Sequence, residues 1–424
     1  MLSDRKPSRI FYGWWVVGAC LVISLYSSGA TVHSFTALFE PIANEFGWSY
    51  AQVSFAASLR GAEMGLFAPL LGLLVDRWGP RRLMFGGVIL GGIGLVLLSR
   101  ITSLSMFYLS FILISVSTST CSGTVVMTAV SNWFRRKLLR ALGIMAIGVA
   151  LGGLLVPLVS MLIDVFGWRT AMVSLGLGMW IIGLPLSLIV RHKPEQYGYM
   201  LDGELSSSVV VDKSLASTTN TEVDIGVKQA LTSRTFWHIA LALMYVPLSL
   251  MAVITHVMPY LSSIGIARSV SSLLASAMPL ASIGGRLGVG WLGDKFEKRR
   301  VAAVSLALIA LGLLCFGYVP TAGMWLLVPF TILVGIGWGS SVPLRVALVQ
   351  ECFGRVRLGT ILGFIFGVTA LGQMVGPPLA GWTFDRWGSY QGIWLAFAGL
   401  GIAATITMLT TPKIDNATTS TPWA

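Results

Sequence analysis

Twelve apolar stretches, separated by short charged loops, constrain what this chain of 424 residues can fold into. They lie at about 12–38, 50–75, 81–99, 103–130, 138–163, 169–190, 235–263, 268–293, 301–318, 321–349, 358–384 and 389–410. A helix needs about 20 apolar residues to cross the hydrocarbon core of a bilayer. Backbone polar groups in lipid have to be satisfied within the segment itself, so stretches of this kind read as helices. Composition agrees: 55% of residues are hydrophobic and 11% charged, where soluble domains carry about 25% charged residues. Mean hydropathy is +0.80. The expected fold class is an all-α integral membrane protein with twelve transmembrane helices.

The formal net charge of +12 would fit a nucleic-acid partner if the basic residues formed one surface. Instead they sit in clusters between the apolar stretches. Counting alternate loops with both termini inside, 22 of the 29 Lys and Arg fall on the cytosolic side. Four fall outside (Arg100, Arg169, Arg268, Arg386) and three within spans (Arg60, Arg286, Arg345). This is positive-inside bias and predicts cytosolic termini. The expected location is multi-pass in a bacterial inner (plasma) membrane, with the bilayer as the main partner and no nucleic acid. Cys20, Cys121, Cys315 and Cys352 have no metal-ligand or paired spacing. The stretch after the basic opening MLSDRKPSRI exceeds a signal-peptide core, so it reads as a retained first span.

Internal repeats divide the chain further. Gly72–Arg82 reads GLLVDRWGPRR, and Gly290–Arg300 reads GWLGDKFEKRR. Asp164-Val165-Phe166-Gly167-Trp168 is echoed by Asp385-Arg386-Trp387-Gly388-Ser389. The spacing is regular: residues 76 and 294, and residues 164 and 385, are each about 220 apart. Four three-helix units therefore form two pseudo-symmetric six-helix halves, with neighbouring units inverted. The halves are residues 1–191 and 235–424, joined by a Ser-, Thr- and charge-rich cytosolic linker at 192–234.

Repeats in this arrangement, with the Gly-x-x-x-Asp-Arg-x-Gly-x-Arg-Arg loop, resemble the major facilitator superfamily along the whole chain. The resemblance implies transport by alternating access, with two halves rocking about a midplane site. It also implies a gating role for the loop residues Asp76, Arg77, Arg81, Arg82 and Asp294, which would clamp helix ends together in one state. The plain alternative is that these arginines only enforce topology.

Ionisable residues inside spans are costly and mark candidate functional positions. Arg286 lies eight residues before Asp294, about 12 Å into the membrane at 1.5 Å per residue. Gly284, Gly285, Gly288 and Gly290 surround it and leave room for a large side chain. A fixed guanidinium suits a carboxylate, which it can hold bidentately; the alternative is an internal ion pair with Glu63. Gly-Gly-Arg at this spacing resembles the monocarboxylate transporter and oxalate:formate antiporter group. Trp133-Phe134-Arg135-Arg136-Lys137 with Ala141, Gly143, Gly148 and Gly152 resembles the helix 5 signature of monocarboxylate transporters. Gly376-Pro377-Pro378-Leu379-Ala380-Gly381 is similar to their helix 11. Tyr12-Gly13-Trp14-Trp15 resembles the start of their helix 1 signature, without its acidic residue. The resemblance implies that Arg286 binds the substrate carboxylate.

The departures concern coupling. His33 stands where that family has a helix 1 lysine, and Ser282 where it has a helix 8 aspartate. Near Thr369, oxalate antiporters carry a second cation. One central cation fits a single carboxylate. His33 is the natural substitute as proton carrier, since an ordinary histidine titrates near 6.5. The competing reading is a neutral histidine bridging helices. Arg60 and Glu63 share a helix face, either as a permanent ion pair or with Glu63 in the proton path. Arg345 is expected to snorkel toward the cytosolic interface, the alternative being that it lines the inner vestibule. Tyr26, Ser122, Trp338 and Thr369 are weaker candidates for substrate contact.

No nucleotide-binding loop is present in a strand-turn-helix context, so no cofactor and no enzyme activity are expected. No obligate protein partner is implied. The expected function is secondary active transport of a small organic anion, a monocarboxylate of the lactate or pyruvate kind, coupled to protons. The alternatives are export of a drug-like or other organic solute, or a sensor built on the same fold.

Overall fold

The computed structural model describes residues 11–134, 137–191, 194–197, 227–292, 296–353 and 358–412. Most of the expected linker and Asp294 lie outside them. By compactness the chain divides into two units. One comprises Met1–Pro41 with Leu66–Asp212, the other Ile42–Gly65 with Lys213–Ala424.

The first unit begins with α1 (Tyr12–Ser28), a π-helical turn at Gly29–His33, and the start of α2 (Phe35–Phe46). It continues with the second part of α3 (Tyr50–Trp78), then α4 (Pro80–Leu98), α5 (Leu104–Ser122), α6 (Thr124–Ser131), α7 (Leu138–Leu151) and α8 (Leu155–Ile189). A 3-10 turn, Gly152–Leu154, joins α7 to α8. The second unit contains α9 (Val227–Thr232), α10 (Arg234–Ser263), α11 (Arg268–Leu292), α12 (Lys298–Gly317) and α13 (Val319–Ala322). It ends with α14 (Leu327–Phe353), α15 (Leu358–Trp387) and α16 (Gln391–Leu409), and the first part of α3 packs with it.

Nine stretches among the described residues are long and apolar enough to cross a membrane. One of them, Arg140–Ile189, is two crossings, because Gly167 breaks the helix at φ 78°, ψ 156°. Helices α3 and α11 have the length but less hydropathy, since they carry Arg60 and Glu63, and Arg286 with several serines. Counting the broken stretch as two and adding α3 and α11 gives twelve. The first span is longer than expected: helix continues past Pro41 to Phe46.

The repeated Asp-x-x-Gly corners have a shared backbone basis. Gly79, three residues after Asp76, has φ 77°, ψ 158°, nearly the values of Gly167, three residues after Asp164. Gly388, three residues after Asp385, is also at positive φ. Side chains are strained in that region, so glycine ends each helix there. Pro80 then starts α4, where its missing N–H costs nothing.

Small residues set the helix contacts, as expected where lipid removes the hydrophobic drive between helices. In the first unit α1 packs on α7, and a side chain at Gly148 would meet the Leu21 carbonyl. Helix α4 packs on α5 and α8, with Gly91 against Ser117 and Gly92 against Trp180. In the second unit α15 packs on α10, with Gly372 and Gly376 over the carbonyls of Met244 and Leu248. Helix α14 packs on α11 and α12.

Two signature stretches noted in the sequence meet in the first unit. Tyr12 lies 5.2 Å from Trp133 and Trp14 lies 4.9 Å from Phe134, centroid to centroid. The Tyr12 hydroxyl donates to the Ile189 carbonyl (2.8 Å), and Trp133 Nε1 donates to the Arg191 carbonyl (3.0 Å). The Arg191 guanidinium rests 4.2 Å above the Tyr12 ring. A side chain at Gly13 would collide with Phe11 and Phe134, which accounts for a glycine beside these aromatics. The helix 1 and helix 5 signatures thus form one aromatic box that fixes the end of α8.

Candidate functional site

In the first unit the candidate residues gather where α1 gives way to the π turn. That turn holds His33, which is 3% exposed. Its Nε2 lies 3.2 Å from the Val149 carbonyl. A carbonyl only accepts, so Nε2 carries the proton in this contact. The Ser28 hydroxyl donates to the same carbonyl at 3.1 Å. Gly29 and Gly152 allow this approach, because a side chain at Gly152 would meet Ser28 and the Gly29 backbone. A π turn inside a helix is frequent at functional sites, and a short 3-10 stretch within a helix often marks a hinge.

A polar seam joins this region to α5. Ser24 Oγ donates to the Cys121 carbonyl (2.9 Å), and the Thr31 and Thr118 hydroxyls are 3.0 Å apart. Buried Ser27 Oγ and Ser122 Oγ have no hydrogen-bond partner among the described residues. Tyr26 is placed differently: its hydroxyl donates to the Leu175 carbonyl at 3.0 Å and abuts Gly178. Tyr26→Phe should lower stability by about 1 kcal/mol, the worth of one hydrogen bond, while leaving transport KM within about twofold of the wild-type value. A thermal unfolding curve and an uptake titration check the two parts.

In the second unit Arg286 lies on α11, partly buried. The neighbouring glycines have separate roles. Gly285 presses on the Ile336 carbonyl, while side chains at Gly284 and Gly288 would meet nothing within 4 Å. Arg286 thus sits between packed and open positions of one helix. Ser282 is buried and donates to the carbonyl of Pro279 in its own helix. It has no acidic group with which to replace the aspartate of the resembling family.

Trp338 is partly buried on α14, and its carbonyl accepts from Ser341 Oγ at 2.7 Å. The Thr369 hydroxyl donates to the Phe366 carbonyl within its own helix (3.0 Å). On α3, Glu63 is 5% exposed and lies three residues after Arg60, on the same side of the helix. Of the loop residues, Arg77 and Arg82 are exposed and Arg81 is partly buried. The Asp76 side chain and all of Asp294 lie outside what is described, so their clamp is a proposal. The Arg345 guanidinium lies 5.1 Å from the centre of the Phe366 ring on α15.

Two further residues have partners that the sequence does not give. His256 is fully buried, with Nδ1 2.9 Å from the Tyr390 hydroxyl and Nε2 2.9 Å from the Pro377 carbonyl. The carbonyl fixes Nε2–H, leaving Nδ1 to accept from Tyr390, so both nitrogens are satisfied in the neutral ring. Asp385 accepts hydrogen bonds from the backbone N–H of Tyr50 (2.9 Å) and Ala51 (2.8 Å) at the start of α3. The repeat had marked Asp385 as a corner residue, without a partner.

Comparison with known proteins agrees with the fold and repeats. The Major Facilitator Superfamily profile matches residues 15–267 and again 239–422. Monocarboxylate transporter 12 of Xenopus laevis is 26% identical over 440 residues, covering 99% of this chain and 93% of the relative. Monocarboxylate transporter 13 of Bos taurus is 26% identical, covering 100% and 95%. The solved structure of the nucleoside transporter NupG superposes with a TM-score of 0.73 at 14% identity, covering 96% of this chain and 100% of that one. A bacterial homolog of the human lysosomal transporter Spinster superposes with a TM-score of 0.66 at 16% identity, covering 95% and 96%. The two curated relatives are vertebrate proteins and lend no support to a bacterial inner membrane. The chain is a multi-pass membrane protein of the Major Facilitator Superfamily, a transporter with twelve transmembrane helices in two six-helix halves.

Proposed function

We propose that this transporter carries a small organic anion, a monocarboxylate, together with a proton, by alternating access and with both termini cytosolic. The observation that carries the reading is Arg286, a cation inside a membrane helix flanked by the open positions of Gly284 and Gly288. The names of the monocarboxylate transporter relatives support the substrate class. A fixed guanidinium holds a carboxylate through two parallel N–H···O bonds, which a lysine cannot reproduce. The test is uptake of labelled lactate and pyruvate into proteoliposomes, with and without an inward proton gradient.

His33 is the proposed proton carrier. As the described contact stands, Nε2–H already donates to the Val149 carbonyl, so an added proton enters at Nδ1. His33→Gln keeps a donor for that carbonyl but has no group that titrates near neutrality. The mutant should transport at a reduced rate with uptake nearly flat from about pH 5.5 to 7.5, the interval over which an ordinary histidine titrates. A pH dependence like that of the wild type would assign the proton to another group, with Glu63 next in line.

A further inference from the structure

Arg345 is a cation that the anion reading has not used. Its guanidinium lies over Phe366 on the neighbouring helix, and buried Nε has no hydrogen-bond partner among the described residues. Glu351, an acidic residue further along α14, is paired with Lys298 at 3.3 Å. A guanidinium removed from bulk water without a counter-charge is strongly disfavoured. An aromatic face offsets part of that cost and leaves the planar N–H edge free to meet another group.

Its level along the helix gives that edge a meaning. Gly335 packs against the Met278 carbonyl and Gly339 against the Ser282 carbonyl, so α11 and α14 run in the same direction. Starting from the Ser282–Gly339 contact, Arg286 lies four residues on and Arg345 six residues on. At 1.5 Å per residue these are advances of about 6 and 9 Å. Two arginines on adjacent helices of one unit thus sit at levels about 3 Å apart along the helices. Phe366 is 39% exposed, so the aromatic shelf is not sealed within the packing.

We propose that Arg345 is a second anion-contacting residue and that the carried solute includes short dicarboxylates, one acidic group taken by Arg286 and the other by Arg345. The proposal rests on the anion reading of Arg286 and extends its substrate class. Phe366 is the positioning residue that keeps the guanidinium plane oriented.

The test compares wild type, Arg286→Gln, Arg345→Gln, Arg345→Lys and Phe366→Leu as purified full-length protein. Binding of lactate, malonate and succinate is read by thermal shift and by competition against labelled uptake. Wild type should bind malonate or succinate more tightly than lactate. Arg345→Gln should weaken the dicarboxylate by tenfold or more and change lactate by less than twofold, effects of the size expected for a charge-assisted pair. Arg345→Lys should restore part of the dicarboxylate affinity, since it keeps the charge without the fork, and Phe366→Leu should cost a few fold. Dicarboxylate binding unchanged in Arg345→Gln, with all binding lost in Arg286→Gln, would overturn this inference and leave the anion reading standing. Binding unaffected in Arg286→Gln would overturn both. The same shifts are measured in vesicles of phosphatidylcholine with and without phosphatidylglycerol. An Arg345 effect that appears only with the anionic lipid, and without added acid, would assign the residue to a lipid phosphate instead.

Discussion

Arg286→Ala should abolish carboxylate uptake while the protein stays folded in the membrane. The expected loss in kcat/KM is at least about 100-fold, since a charge-assisted bidentate contact to a desolvated carboxylate is worth on the order of 3 kcal/mol or more. Folding should survive because Gly285, not Arg286, makes the close contact of α11 with the Ile336 carbonyl. Arg286→Lys should recover only a fraction, because an ammonium is a point charge and cannot present two parallel N–H groups. Uptake at wild-type rate by the alanine variant, with protein confirmed by size-exclusion chromatography and surface labelling, would remove the proposed substrate class.

Asp385→Ala should release the start of α3 from α15 without unfolding α3. The first turn of α3 has a local capping box: Ser49 Oγ accepts from Gln52 N–H at 3.2 Å, and Gln52 Oε1 accepts from Ser49 N–H at 2.9 Å. The N–H groups of Tyr50 and Ala51 remain, and the Asp385 carboxylate takes both. A charge at a helix N-terminus also gains from the helix dipole. The helix end is exposed, so water replaces the lost acceptor in part, and the expected loss is about 1–2 kcal/mol. That corresponds to a shift of about 5- to 30-fold in the equilibrium between joined and parted helices. Ser54 supplies the readout: it is buried, and it lies where a side chain at Gly381 would fall. A cysteine introduced as Ser54→Cys, with the native cysteines replaced, should be labelled by a small thiol reagent about 5- to 30-fold faster in the Asp385→Ala background, following that equilibrium. Equal labelling rates would show that the carboxylate does not hold the contact.

Hydropathy made most of the architecture legible in the sequence. Lipid forces each long apolar run into a helix, whatever its individual residues prefer. The first span runs past its expected end near residue 38, because the chain stays helical through Glu40 and Pro41 to Phe46. The π turn was not visible at all, since nothing in Gly29–His33 distinguishes that winding from an ordinary helix. Among the candidate residues, Arg286 and His33 stood out through the cost of placing ionisable groups in a span. The partner of His33 did not stand out, because Val149 contributes a backbone carbonyl from 116 residues away, and carbonyls carry no residue identity. Tyr26 and Thr369 offered hydroxyls, but only coordinates reveal that each donates to backbone. The ring beneath Arg345 was hidden for a related reason, because it belongs to another helix.

The π turn bears on how such a site is altered by insertions and deletions as opposed to substitutions. A π turn is in effect one surplus residue wound into an otherwise regular helix. Because the turn absorbs that residue locally, removing one residue from Gly29–His33 would let the helix close into uniform winding while the segments before and after it keep close to their present faces. His33, at the end of the turn, would stay near the Val149 carbonyl. A single-residue deletion in regular α-helix, by contrast, rotates everything beyond it by about 100°, so this turn is the one place along the first span where a loss of length should be absorbed rather than passed on to the polar face.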